Sequence, residues 1–165
     1  MELDFIQKNA LAYTSQHQLQ IAERLGFGVH GIIFVAENKS KSGKTAVKAH
    51  YEGEPYLRER AIYERLKNEG VTDVLGFNVP QFIHAEDGLR VIEMSIVTRP
   101  FVLDFAGAYL DAPPDFPDEV WAEWEAGKRE LFEARWPEVQ AVLAALKEWK
   151  IYMVDVSPSN VAFLA

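Results

Sequence analysis

Hydrophobic residues along the first fifty positions change their spacing from helical to alternating. The pattern over residues 4–18 predicts a short amphipathic helix. Its expected apolar anchors are Phe5, Leu11 and Tyr13. The period then shortens to two, which is typical of strands whose side chains point alternately to opposite faces. The predicted strands cover residues 19–25, 32–36 and 45–51. In the third, Val47, Ala49 and Tyr51 point to one face while Ala46, Lys48 and His50 point to the other.

The next segment, residues 54–68, has the spacing of a helix that buries one face. Pro55 suits its first turn, and Gly70 lies just beyond its end. The apolar stripe consists of Tyr56, Ile62, Tyr63 and Leu66. Glu59 falls in the same stripe, and a carboxylate on a packing face needs a partner. Because the preceding strand carries an isolated lysine, we predict a Lys48–Glu59 pair.

Two further strands and a helical region complete the predicted secondary structure. The strands at 80–85 and 89–97 form a hairpin around a Glu-Asp-Gly turn. Prolines break the chain at 111–117, after which residues 118–149 read as one or two helices interrupted near Pro137. The apolar face of the later helix consists of Val139, Val142, Leu143, Leu146 and Trp149.

These elements place the chain in the α+β class. We predict a five-stranded antiparallel sheet with one packed helix over residues 1–97, followed by a helical part over residues 98–165. With 165 residues and 48% hydrophobic content, the chain is long enough for one core and short for two. We therefore expect a single domain over residues 1–165.

Charge and cysteine content exclude several functions. The formal net charge is −8, which argues against electrostatic binding of nucleic acid or of an anionic membrane surface. The chain contains no cysteine, so disulfides and cysteine-ligated zinc are excluded. No apolar run approaches the ~20 residues that a membrane span needs. These observations lead us to expect a cytoplasmic protein.

Three glycines, Gly26, Gly28 and Gly31, lie between the first two predicted strands. By themselves they suit a plain hairpin. Glycines also let backbone amides approach phosphate closely, so the same spacing suits a lid over a nucleotide. The lysine-bearing strand that follows favours the second interpretation.

The chain resembles the protein kinase-like fold over most of its length, and the motifs occur in the order of that family. Residues 26–33 resemble the glycine-rich loop, with Ile33 where valine is usual, and Thr45-Ala46-Val47-Lys48 resembles the strand with the phosphate-binding lysine. Glu59 matches the helix glutamate that pairs with this lysine. Residues 93–96 resemble the hinge that holds adenine through its backbone, and residues 155–160 resemble the catalytic loop.

The resemblance implies ATP and magnesium as cofactors and assigns roles to particular residues. The implied nucleotide-binding positions are Gly26, Gly28, Gly31, Ile33, Ala46, Lys48, Glu59, Glu93 and Ser95. In an active enzyme Asp155 would orient an acceptor hydroxyl, and Asn160 would help to hold the metal ion. His30 and His50 are interpreted as surface or core residues, because no second ligand lies at metal-binding spacing.

The catalytic-loop region departs from the kinase pattern. Met153 and Val154 stand where His and Arg are usual, and Ser157 replaces the usual lysine. The sequence ends five residues after Asn160, before the DFG aspartate and the activation segment of the family. Asn160 alone is a weak metal site, because magnesium usually takes at least one carboxylate ligand.

Two functional hypotheses follow from this resemblance. The first is a pseudokinase-like binding or regulatory module that binds a protein partner, with nucleotide optional. In that case we expect the helix around residues 139–149 to be partly uncovered and the tryptophans to mark either core packing or the partner surface. The alternative is an active ATP-dependent phosphotransferase, either a Ser/Thr protein kinase or a small-molecule kinase of the aminoglycoside phosphotransferase sort.

Overall fold

The computed structural model describes residues 2–165. The helices are α1 (Glu2–Gln16), α2 (Gly53–Asn68), α3 (Asp118–Phe132) and α4 (Trp136–Lys147), with a short 3-10 helix at Glu133–Arg135. The strands are β1 (Leu19–Phe27), β2 (Gly31–Asn38), β3 (Lys44–His50), β4 (Asp73–Val74), β5 (Phe77–Asn78), β6 (Phe82–Glu86), β7 (Val91–Ser95), β8 (Phe101–Val102), β9 (Tyr109–Leu110), β10 (Ile151–Tyr152) and β11 (Val161–Ala162). None of the helices in this part of the chain is long and apolar enough to cross a membrane.

The chain divides into two compact units. The first contains the residues up to Glu64 together with Pro80–Ile96, and the second contains Arg65–Val79 and Val97–Ala165. The interpretation of residues 1–165 as one kinase-like domain stays a prediction.

The first unit is built on a five-stranded sheet in the order β1-β2-β3-β7-β6. Every neighbouring pair in this sheet is antiparallel. The predicted α+β class, with a five-stranded antiparallel sheet and a packed helix, is therefore confirmed. It is also the architecture that the resemblance to kinases implies for the small lobe.

Helix α1 covers one face of this sheet through three residues, of which Tyr13 was among the expected anchors. Ile6, Ala10 and Tyr13 are buried and join Phe34, Val47 and Ala49 of the sheet in one hydrophobic cluster. Phe5 and Leu11 are 47% and 51% exposed, so their assignment as anchors was wrong. The buried positions are spaced by four and three residues, which places them on one side of a helix.

Helix α2 confirms the helix predicted over 54–68. Its stripe residues Tyr56, Glu59, Ile62, Tyr63 and Leu66 are all buried. Beyond its end, Gly70 has a φ of +69°, a conformation that glycine adopts at little cost. The N–H of Gly70 donates to the carbonyl oxygen of Lys67 at 3.0 Å, which satisfies one of the last helical carbonyls.

The second unit combines two helices with short strands. Helices α3 and α4 are separated by the 3-10 helix, and a proline lies in the first turn of α4, as the predicted interruption near Pro137 requires. A four-stranded sheet has the order β11-β8-β5-β4, and β9 pairs with β10. These two-residue strands were not predicted.

The apolar face of α4 is covered within its own unit. Val139, Val142 and Leu146 have no exposed surface, and Leu143 is buried. Helix α3 and strands β4 and β10 pack against α4. The expectation that the helix around residues 139–149 is partly uncovered was therefore wrong for these four side chains.

Candidate functional site

One face of the five-stranded sheet gathers four of the predicted nucleotide-binding positions. Ile33 lies directly opposite Lys48 in the β2–β3 pair, and Gly26 lies opposite Ile33 in the β1–β2 pair. Opposite residues of an antiparallel pair share a face, and so do residues two apart on one strand. Ala46 and Lys48 are therefore on the face that carries Ile33. The opposite face is the one covered by α1.

Two apolar residues that sequence reasoning missed extend this face. Ile92 pairs with Lys48, and Met94 pairs with Ala46, across the β3–β7 ladder. Both side chains are buried. The alternation along β7 would have identified them once β7 was placed beside β3. The sequence cannot show that placement, because β7 is distant from β3 along the chain.

Lys48 and Glu59 form the buried ion pair that the sequence predicted. The Lys48 ammonium Nζ lies 2.8 Å from one oxygen of Glu59 and 3.1 Å from the other. Lys48 is 4% exposed and Glu59 is 0% exposed. In so dry a place each charge depends on the other, because a single unpaired buried charge is strongly unfavourable.

His50 is a third member of this cluster. Its Nε2 lies 2.7 Å from the Glu59 oxygen that also contacts Lys48, and its Nδ1 lies 3.1 Å from the backbone oxygen of Arg90. The sequence analysis interpreted His50 as a surface or core residue. The side chain is buried in the core, but the contact with Glu59 was not predicted. The signal was available, since residues 48 and 50 share a face of β3.

The electrostatics of the cluster keep Glu59 ionised. Burial alone would raise the pKa of this carboxyl, but the Lys48 charge and the contacts with His50 outweigh burial and lower the pKa to about 2. A permanently charged Glu59 holds the Lys48 ammonium at a fixed position on the sheet face.

The glycine-rich turn connects β1 and β2, and its glycines differ in the space that surrounds them. A side chain at Gly31 would collide with the carbonyl oxygen of Ala49 on β3, so Gly31 is required by sheet packing. At Gly26 and Gly28 an added Cβ would meet no atom within 4 Å, so the space beside them is open. The N–H of Gly28 donates to the carbonyl oxygen of Gly31 at 3.0 Å and closes the turn.

Glu93 and Ser95, the predicted hinge positions, use their side chains within the first unit. The carboxylate of Glu93 accepts hydrogen bonds from the Tyr13 hydroxyl at 2.7 Å and from the Thr45 hydroxyl at 2.8 Å. Burial and the bond to Glu93 raise the pKa of Tyr13 above its ordinary value. The Ser95 N–H donates to the Gln81 carbonyl oxygen at 2.9 Å, and the Ser95 hydroxyl oxygen accepts from the Gln81 N–H at 2.8 Å. Adenine binding by this backbone stays a prediction.

In the second unit, Asp155 and Asn160 lie in one loop that the asparagine holds closed. The side-chain N–H of Asn160 donates to the backbone oxygen of Asp155 at 2.7 Å, and its side-chain oxygen accepts from the Ser157 N–H at 2.7 Å. Asn160 is buried, whereas Asp155 is exposed. The asparagine therefore shapes the loop, and the aspartate presents its carboxylate to solvent.

Helix α3 fixes the start of this loop through two side chains that sequence reasoning missed. The indole N–H of Trp124 donates to the Val154 carbonyl at 2.9 Å, and Lys128 donates to the Val156 carbonyl at 2.6 Å. The two residues are four apart, one helical turn, which brings both to the same side of α3. The sequence shows this four-residue spacing, but it does not show which carbonyl groups the two side chains bind.

No metal centre is built from the described side chains. Among residues 2–165, no group of three or more His, Asp or Glu side chains is arranged to hold a metal ion. Both polar atoms of the Asn160 side chain already have partners in the loop. Its role as a metal ligand stays a prediction.

Comparison with known proteins finds similarity to solved structures. No family model matches the chain, and no curated protein matches it. The kinase domain of Mycobacterium tuberculosis PknI is 16% identical, with a TM-score of 0.40 over 87% of this chain. The chain spans about half of that kinase domain, 54% of its length.

Proposed function

We propose that the chain is a kinase-like nucleotide-binding module that binds ATP through its first unit and does not transfer phosphate efficiently. The observation that carries this proposal is the buried Lys48–Glu59 pair, with Nζ 2.8 Å from the carboxylate. A lysine held in this way on a sheet face, after a glycine-rich turn, is the arrangement with which the resembled family contacts phosphates.

The residues present suit a triphosphate. The open space beside Gly26 and Gly28 leaves room for a phosphate group to approach the backbone. Lys48 would neutralise part of the phosphate charge, and Glu59 would keep the ammonium in position. The apolar side chains of Ile33, Ala46 and their neighbours on the same face would take the base. Bound magnesium would shield the phosphate charge further.

The proposed weakness in phosphoryl transfer has its support in the second unit. Efficient transfer depends on metal ions that bridge the phosphates and on an oriented acceptor. The polar atoms of Asn160 bind the backbone of its own loop. The loop region also lacks the His, Arg and Lys that the family usually has, with Met153, Val154 and Ser157 in their places. A module of this kind would act by binding a protein partner.

The test is calorimetric titration of the purified chain with ATP, with and without magnesium. We expect saturable binding that Lys48→Met weakens at least tenfold, since a hydrogen bond to a charged group contributes about 1.5–3 kcal/mol. Gly28→Ala, in open space, should also weaken binding without disturbing the core. Gly88→Ala, in the turn of the second hairpin, is the matched control and should bind ATP as the unchanged protein does. Absence of saturable binding in both conditions would refute the proposal.

A second function, active phosphotransfer, is favoured by the exposed carboxylate of Asp155. Because Asn160 fixes the backbone at this position, the carboxylate is presented from a defined loop. This alternative requires magnesium-dependent ATP turnover that Asp155→Asn abolishes while binding is retained. The binding-module proposal requires no turnover, and binding that is unchanged in Asp155→Ala.

A further inference from the structure

Helix α3 buries very little of its own surface. Phe132 is the one buried residue among the fifteen from Asp118 to Phe132. A helix of this length is marginal by itself and is normally stabilised by the packing of an apolar face. Helix α3 contacts α4 and the 3-10 helix, and on this inner side the half-buried Trp124 donates its indole N–H to the Val154 carbonyl at 2.9 Å. The outer side of α3 is open to solvent.

An apolar row along α3 has the spacing of a coiled-coil seam. At intervals of four, three and four residues, which is the a/d spacing of a heptad, this seam consists of Val120, Trp124, Gly127 and Leu131. Val120 is 42% exposed and Leu131 is 49% exposed. At Gly127 an added Cβ would meet no atom within 4 Å, so no other element of residues 2–165 packs there. Glycine weakens the interior of a helix, but its missing side chain lets the backbone of a second helix come close.

Glutamates flank this seam on one side. Glu123 and Glu130 each precede a seam residue directly and so occupy the g position, where charged side chains pair with those of a partner helix. Both are exposed, and neither has a salt-bridge partner among residues 2–165, since Arg129 of the same helix pairs with Glu125 at 3.0 Å. Glu119 lies one turn before Glu123, and like charges at this spacing are unfavourable. A basic partner would relieve this repulsion.

A second copy of α3 does not suit the same face. Lys128 occupies the e position, but its ammonium donates to the Val156 carbonyl at 2.6 Å. Two copies would therefore bring glutamates together without an ammonium to pair with them, and each chain carries a net charge of −8. The complementary occupant is a helix with an apolar stripe that is flanked by Lys or Arg.

We propose that the outer face of α3 binds a basic amphipathic helix of a protein partner. This face is formed by Val120, Glu123, Gly127, Glu130 and Leu131. Apolar side chains of the partner lie along the seam, and its Lys or Arg side chains pair with Glu123 and Glu130, which is the helix-in-groove mode of recognition. The proposal names the partner class of the proposed binding module and rests on that part of the proposed function, whereas ATP binding by the first unit is not required for it.

The test uses three synthetic peptides of three heptads each. The first has Leu at a and d and Lys at e and g, the second has Glu in place of Lys, and the third has the composition of the first in an order that destroys the apolar stripe. Lys at both e and g keeps the first peptide from pairing with itself. Each peptide is fluorescently labelled and titrated with the full chain.

The first peptide should bind saturably, with micromolar affinity because the face of a single helix is small for an interface. The third should bind about tenfold more weakly, and the second should not bind. A chain that binds ATP but not the first peptide would refute this proposal alone. A chain that binds the first peptide but not ATP would refute nucleotide binding alone.

Variants at exposed positions test the outer face of α3 without disturbing the core. Leu131→Gln should weaken binding of the first peptide about fivefold to tenfold, whereas Leu57→Gln, at a 57% exposed position on α2, should not weaken it. Glu123→Gln combined with Glu130→Gln should weaken binding about fivefold and reduce its dependence on salt.

The control for the charge variant changes two exposed glutamates outside α3. Glu69→Gln combined with Glu148→Gln alters the net charge equally and should change neither the affinity nor its salt dependence. Equal affinity for the first and third peptides, or equal loss in the matched variants, would show general attraction to an acidic protein and would overturn the proposal. Sedimentation of a dimer that Leu131→Gln dissociates would overturn it in favour of a second copy of the chain.

Discussion

Replacement of Glu59 by glutamine tests the buried cluster directly. The side chain keeps its size, but the carboxylate that contacts Lys48 at 2.8 Å and His50 at 2.7 Å becomes a neutral amide. Lys48, which is 4% exposed, then loses this carboxylate as a counterion. Removal of one partner from a buried ion pair typically costs about 3–5 kcal/mol of folding free energy.

The pKa of Glu59 gives an independent magnitude and a pH dependence. Its value is lowered from 4.5 to about 2 in the folded protein. At about 1.4 kcal/mol for each pKa unit, the ionised carboxylate contributes about 3 kcal/mol to stability. Because the folded-state pKa is the lower one, this contribution is complete above about pH 5 and is lost as the pH falls from there toward 2.

The assay is urea denaturation followed by circular dichroism, at several pH values between 7 and 2. Glu59→Gln should be less stable than the unchanged protein by about 3 kcal/mol at pH 7, and this difference should shrink as the pH falls below 5. Glu64→Gln is the matched control on the same helix. Glu64 pairs with Arg60 at the partly exposed surface, so its replacement should cost less than about 1 kcal/mol.

Two results would refute this reasoning. One is a loss in Glu59→Gln no larger than the loss in Glu64→Gln at pH 7. The other is a difference between Glu59→Gln and the unchanged protein that stays constant from pH 7 to pH 2.

Three further changes have definite expected outcomes. Gly31→Ala should lower the thermal midpoint by several degrees, because its Cβ collides with a backbone carbonyl, whereas Gly28→Ala should leave the midpoint within about 1 °C. Tyr13→Phe should cost about 1–3 kcal/mol in urea denaturation, since it removes a buried donor from the Glu93 carboxylate; a loss below about 0.5 kcal/mol would contradict this. Asn160→Ala should speed amide exchange in its own loop about fivefold, and unchanged exchange would show that the loop does not depend on this side chain.

The Lys48–Glu59 pair, the strongest feature of the candidate site, could be predicted from the sequence for a physical reason. Lys48 and Glu59 are each a charge within an apolar pattern, and such charges must be paired. His50 shares the face of Lys48 on β3, but its contact with Glu59 depends on which turn of α2 lies above that face. A periodic pattern gives the face of an element and does not give its position along a neighbour.

The features that were predicted wrongly or not at all also have specific physical causes. In α1 the sequence analysis chose Phe5 and Leu11 as apolar anchors because their side chains are large. The core position is instead Ala10, whose side chain is small, and Phe5 and Leu11 face solvent. Strands such as β10 and β11 contain two residues each, too few to display any period. Among residues 2–165, the indole N–H of Trp136 has no hydrogen-bond partner, and only the three-dimensional arrangement shows this.

The strand order of the sheet has a consequence for synthesis on the ribosome. Strand β3 pairs with β2 on one side and with β7 on the other. A nascent chain therefore carries β3 as an open edge until β7, Val91–Ser95, leaves the exit tunnel. Open edges of apolar strands template pairing between chains. Translational pauses within α2 would prolong this interval, so we expect codon changes in that segment to alter the soluble yield of the protein without altering its sequence.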